Sequence, residues 1–170
     1  MGQFCHIHAL LAVHTKKEHC AMTKKIVYVD MDNVLVDFSS GIRRLPAYLK
    51  TKFAGNYDEA PGIFALMDPM LGAVDAYHEL SERFDTYILS TAPWHNPSAW
   101  SDKIIWVQRH LDRVAHKRLI LSHNKHLQRG DFLIDDRTKN GAGQFTGKHV
   151  HFGQPEFPDW AAVMAYMRQQ

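Results

Sequence analysis

The sequence predicts an α/β domain: a mostly parallel sheet of five strands, with a small helical insertion after the first strand. Three observations predict it. Five short apolar runs, rich in β-branched residues, recur along the chain. Segments of helical period lie between several of them, as in strand–helix–strand units. Acidic and hydroxyl residues stand where these runs end, the place where open parallel sheets bind ligands.

The first run is "KIVYVD" (25–30), apolar almost throughout, as a strand covered on both faces requires. After it comes "FSSGIRRLPAYLKTKFAGNYDEAPGIFALMDPM" (38–70), punctuated by Pro46, Gly55, Pro61, Gly62 and Pro69. This is far longer than an ordinary strand–helix connection, so it is expected to form a small helical cap over the sheet's rim. "GAVDAYHELSERF" (72–84) then places Val74, Tyr77, His78 and Leu80 near one side of a helix. The second strand is "DTYILST" (85–91). "SAWSDKIIWVQRHLDRV" (98–114) carries Ile104, Val107 and Leu111 at helical spacing, with Ser98 as its expected N-cap. "RLILS" (118–122), "DFLIDD" (131–136) and "KHVHF" (148–152) are the remaining strands. "PDWAAVMAYMRQQ" (158–170) closes the chain as a helix whose Trp160, Val163, Met164 and Met167 form a core stripe.

A length of 170 residues fits one domain. With 45% hydrophobic and 22% charged residues, the chain can fill a core and is not of disordered composition. A net charge of +2, scattered along the chain, gives no basic stripe for a nucleic-acid polymer. No apolar run reaches the roughly 20 residues that cross a bilayer. Both cysteines, Cys5 and Cys20, lie in the first 21 residues, so the body of the domain has no disulfide framework and a reducing, cytoplasmic setting is expected. Residues 1–21 are unlike the rest and read as a flexible extension, with the domain proper at 22–170. Their Cys and His spacing matches no closed zinc site.

Asp30, Thr91, Asp135 and Asp136 all fall at carboxyl ends of predicted strands, so the fold gathers them at one rim. Carboxylates so gathered repel one another unless a cation joins them, and oxygen-only ligands favour a hard ion such as Mg²⁺ with a phosphate partner. Aspartate is a competent nucleophile toward phosphorus. The transferring phosphoryl group also needs cations and hydroxyl donors, which Lys125 and Thr91 can supply.

"DMDNV" (30–34), "YILST" (87–91), a lysine and "LIDDR" (133–137), in that order, resemble the four motifs of the haloacid dehalogenase superfamily of phosphatases. "DMDNVLVDF", "STAPW" and "NKHLQRGDFLIDDRTKNGAG" are similar, more narrowly, to the 5′(3′)-deoxyribonucleotidase family, over about Lys25 to Trp160. The resemblance implies a Rossmann-like domain with the inserted cap. It implies Asp30 as nucleophile and Asp32 as general acid/base, with Thr91 and Lys125 on the phosphate. It also implies Mg²⁺ on Asp30, the Asp32 carbonyl and Asp135, with Asp136 supporting. The implied substrate is a small phosphomonoester, a deoxyribonucleoside 5′- or 3′-monophosphate; a sugar phosphatase or a silent phosphate-binding domain are the alternatives. Two departures stand out: the insertion is shorter than in the mammalian members, and Asn33 occupies a position where the family often has glycine.

The remaining candidates divide. Phe38 either stacks on a nucleobase or seats the cap, and Arg137 pairs with the acidic rim or with phosphate. Asp37 is expected to be structural. Trp94, after "STAP", stands where a rim loop could touch substrate, but is expected to be an ordinary packed aromatic. His149 and His151 alternate on a strand, share one face, and read as an edge face rather than a metal site.

Overall fold

The computed structural model describes residues 23–170; the 1–21 extension and both cysteines lie outside them. Five strands make one sheet: β1 (Ile26–Val29), β4 (Asp85–Ser90), β5 (Leu119–Leu121), β6 (Phe132–Asp135) and β7 (Lys148–His151). Their order is β5-β4-β1-β6-β7 and every pairing is parallel. β1 is therefore central, and its Val27 and Val29 are completely buried, as its unbroken apolar run requires.

Between β1 and β4 the chain makes an excursion. A two-residue strand, β2 (Val36–Asp37), pairs antiparallel with β3 (Asp68–Pro69) and closes the base of the inserted segment. Between them lie α1 (Phe38–Arg44), α2 (Ala47–Lys52) and two short 3-10 turns, Tyr57–Glu59 and Ile63–Leu66. Gly41 lets α1 lie close to the second turn: a Cβ there would meet Met67 Cγ at 2.9 Å and the Ile63 carbonyl at 3.1 Å. The segment is pinned to α4 (Ser98–His110), where the buried Trp106 indole donates to the Met67 carbonyl at 2.9 Å.

Helical faces depart from the sequence expectation in two places. In α3 (Ala73–Arg83) the buried face is Ala73, Ala76, Tyr77 and Leu80, while His78 is exposed. In α4 the buried residues are Ala99, Asp102, Lys103, Trp106 and Val107, and Ile104 points outward. Reading α4 by apolar residues alone rotated the helix, because two charged side chains sit on its inner face. Nor does Ser98 cap α4, whose N-cap position is Pro97. The Ser98 hydroxyl instead accepts the Gly62 N–H at 2.9 Å, another tie between α4 and the insertion. The expected stripe Trp160, Val163, Met164 and Met167 is buried in α5 (Trp160–Met167), which is capped by the Asp159 carboxylate on the Ala162 N–H.

Candidate active site

The chain leaves β1 as Asp30-Met31-Asp32-Asn33 and turns at once. The Met31 carbonyl accepts the N–H groups of Val34, Leu35 and Val36, winding the loop tightly enough to bury both aspartates. The turn places Asn33 at φ 58°, in the left-handed region. Asparagine tolerates that region better than most residues, which explains how it can stand in for glycine. Its side-chain amide also donates to Asp136 at 3.3 Å.

Asp30, Asp135 and Asp136 come together from the ends of β1 and β6. One carboxylate oxygen from each lies within 4.8 Å of the others. Lys125, on a short turn before β6, is 3% exposed rather than on the surface. Its ammonium lies 2.5 Å from Asp135 Oδ2 and 3.0 Å from Asp30 Oδ1. The Arg137 N–H donates to Asp135 Oδ1 at 2.9 Å. Both Asp30 oxygens are buried, and neither accepts an aligned hydrogen bond; the Lys125 approach is a charge contact.

Burial, then the Asp30 charge, pushes the Asp135 carboxyl up to about 6 against the pull of Lys125. Burial likewise raises Asp136, partly offset by Arg137. Desolvation alone would lower the Lys125 ammonium, but Asp30 and Asp135 outweigh it and hold its pKa raised. Three carboxylates against the Lys125 ammonium and the Arg137 guanidinium still leave excess negative charge on oxygen ligands, some of them without a hydrogen bond. That donor set fits a hard divalent cation such as Mg²⁺.

Asp32 faces another way. Its Oδ1 takes Lys103 Nζ at 2.7 Å, and the same ammonium lies 3.1 Å from Ser90 Oγ and 4.4 Å from the Phe64 ring centroid. Lys103 is fully buried. Burial pushes the Asp32 carboxyl up, Lys103 pulls it down, and the net direction is upward. Sequence reasoning missed Lys103, since a lysine on an amphipathic helix reads as solvent-facing. A signal existed: Lys103 lies four residues after Ala99 and four before Val107, on their face.

Above this rim is a cavity of about 520 Å³, lined in part by Asp32, Phe38, Tyr57, Thr91, Trp94 and Arg137. That is the size of small-molecule sites. Phe38 is half-buried and packs edge-on against Phe64 at 6.0 Å. The Thr91 hydroxyl donates to the Ser122 carbonyl at 2.8 Å. Trp94 is not a packed aromatic: it is 76% exposed, its ring edge-on to His123 at 5.9 Å. Arg137 stays at the rim, 3.4 Å from Asp136 Oδ1. Asp37 has the expected structural part, its carboxylate on Arg43 at 3.0 Å. His149 and His151 lie on edge strand β7, but turn inward to the Asp135 and Asp136 carbonyls.

Comparison with known proteins agrees with this architecture. The family model "5' nucleotidase, deoxy (Pyrimidine), cytosolic type C protein" matches residues 50–159. A Vibrio phage KVP40 protein carrying the 5'(3')-deoxyribonucleotidase name is 60% identical over 147 residues, 86% of each chain. The human cytosolic-type 5'(3')-deoxyribonucleotidase is 32% identical, over 81% of this chain and 78% of its own. The 5'(3')-deoxyribonucleotidase of Bacillus subtilis is 25% identical over 78% of this chain and 87% of its own. Among solved structures, the HAD-hydrolase YfnB of Bacillus subtilis, bound to magnesium, superposes with a TM-score of 0.54 at 11% identity. That match covers 85% of this chain and 99% of the other. Likeness of this extent and identity makes the chain a phosphatase of the 5′(3′)-deoxyribonucleotidase family.

Proposed function

We propose that this protein is a Mg²⁺-dependent phosphomonoesterase that hydrolyses deoxyribonucleoside 5′- or 3′-monophosphates through an aspartyl-phosphate on Asp30. The observation that carries the reading is Asp30 itself. It is a buried carboxylate with no aligned hydrogen bond on either oxygen, set among two further carboxylates and a lysine at the carboxyl rim of the sheet.

Asp30 and Asp135 would hold the cation, together with the backbone carbonyl of Asp32, whose carboxylate is engaged by Lys103, and Asp136 would support them from the same cluster. When bound, the ion neutralises charge on the phosphoryl oxygens and lets a dianion approach the acidic rim. Lys125 contributes a second positive charge beside Asp30, and the Thr91 hydroxyl rotates from the Ser122 carbonyl to a phosphate oxygen. Asp30 attacks phosphorus in line, and the bond to the ester oxygen breaks as Asp32 gives that oxygen a proton. Asp32 then takes a proton from water, which attacks the acyl phosphate and frees inorganic phosphate and Asp30. One carboxyl serves as acid and then as base. Its upward-shifted pKa favours the protonated form that the first step uses.

The segment 38–70 serves as the cap, excluding bulk water over the reacting group. The nucleoside sits in the 520 Å³ cavity, with Phe38 available for stacking on the base and Arg137 at the phosphate side.

Phosphate release from a panel of deoxy- and ribonucleoside monophosphates and sugar phosphates, with and without Mg²⁺, tests the reading. Activity is expected to concentrate on the deoxynucleotides and vanish with chelator. Activity on sugar phosphates alone would keep the chemistry and discard the nucleotide. A second expectation concerns binding. Mg²⁺ should raise the unfolding midpoint, because it binds the folded cluster and not the unfolded chain. Asp135→Asn should abolish that rise; an undiminished rise would move the ion elsewhere.

A further inference from the structure

His149 and His151 do something that alternation on a strand did not announce. Their rings stack at 4.8 Å with planes 20° apart, on the side of β7 that faces the end of β6. His149 Nε2 lies 3.2 Å from the carbonyl oxygen of Asp135, and His151 Nε2 lies 3.0 Å from that of Asp136. A carbonyl only accepts, so both Nε2 atoms carry hydrogen and donate.

The two contacts differ in consequence. The Asp135 carbonyl already accepts the Phe152 N–H at 3.0 Å in the strand ladder, so His149 is a second donor there. The Asp136 carbonyl lies past the end of β6, beyond the ladder, and His151 supplies its hydrogen bond. That carbonyl belongs to the peptide unit whose other end is the Arg137 N–H, and this N–H donates to Asp135 Oδ1 at 2.9 Å. The peptide is thus gripped at both ends, its oxygen by His151 and its N–H by the Asp135 carboxylate. With Lys125 on Oδ2, the orientation of the Asp135 carboxylate follows from where that peptide plane lies.

We propose that His151, steadied by its stack on His149, is a positioning residue for the metal centre: it fixes the Asp136–Arg137 peptide and through it the carboxylate of Asp135. The proposal rests on the Mg²⁺ reading above and adds the device that orders the site. Hydrogen-bonding partners one layer behind a metal's ligands commonly set affinity by about 10- to 100-fold.

The test is calorimetric titration of the folded protein with Mg²⁺ in the absence of substrate, for wild type, His151→Phe and His151→Gln. The phenylalanine keeps the ring and the stack but cannot donate; the glutamine amide can. Mg²⁺ affinity is expected to fall about 10-fold or more in His151→Phe and to return most of the way in His151→Gln. KM for substrate at saturating Mg²⁺ should stay close to wild type. Equal affinity in wild type and His151→Phe would overturn the proposal, as would an equal loss in both variants, which would mark a packing effect. Failure of the wild type itself to bind Mg²⁺ would instead overturn the metal reading on which the proposal stands.

Discussion

Asp30→Asn is expected to remove turnover by at least about 10³-fold while the protein stays folded, since losses of this order or larger follow removal of an attacking residue. The amide has the shape of the carboxylate and fits the same pocket, but its oxygen does not form a covalent phosphoryl adduct. Stability should survive because two consequences oppose each other. The variant loses the 3.0 Å charge contact with Lys125, and it also relieves repulsion between Asp30 and its neighbours Asp135 and Asp136. Neither Asp30 oxygen gives up an aligned hydrogen bond, so no partner is stranded. Phosphate release and the thermal unfolding midpoint, measured on one preparation, check both halves. A variant that kept near-wild-type rates would strip Asp30 of the nucleophile's role. A variant that failed to fold would show that Asp30 holds the β1 end in place, a part for which its hydrogen bonding gives no support.

What could be read from the sequence follows the length scale of the physics. The five strands are legible because a strand buried on both faces needs an unbroken apolar run, and "IVYV" or "FLID" has few other uses. The rim position of Asp30, Asp135 and Asp136 follows directly, because a parallel sheet aligns the carboxyl ends of its strands. Side-chain direction is a different matter. The inner face of α4 was misjudged because it carries two charged residues, Asp102, which accepts the Ser98 hydroxyl one turn back, and Lys103, whose burial is explained by a partner distant in the chain. Asp32 is 71 residues from Lys103, and no local pattern announces that pair. Lys125 could be placed near the site by its position among the motifs, yet its burial beneath two carboxylates was not legible. The inward turn of His149 and His151 escaped for the same reason. Their alternation gave the face, and the carbonyls they reach belong to another strand's end. Trp94 was expected to pack because tryptophan usually does, although its place after "STAP" also suits a rim loop, and the structure has it at the cavity rim.

Lys103→Met is the second change with a large expected effect, and it separates two parts played by one lysine. The ammonium is fully buried and holds the Asp32 carboxylate at 2.7 Å. Removing it leaves a carboxylate that is 8% exposed and has lost its buried cation, the situation in which breaking a buried pair costs about 3–5 kcal/mol. For a protein of this size that is a fall in unfolding midpoint of roughly 6–20 °C. Activity should fall as well, by about 10²-fold or more, because the proposed acid/base loses the contact that aims it. The double variant Lys103→Met with Asp32→Asn discriminates. With the carboxylate gone there is no stranded charge, so most of the lost stability should return while activity does not. Coupling of this kind, with strong non-additivity in stability and none of the rescue in rate, is what a pair bound to each other and to the chemistry must give. Additive losses in stability would mean that Lys103 is held by Ser90 and the Phe64 ring rather than by Asp32. The lysine would then belong to the packing of α4 against the insertion and not to the reaction.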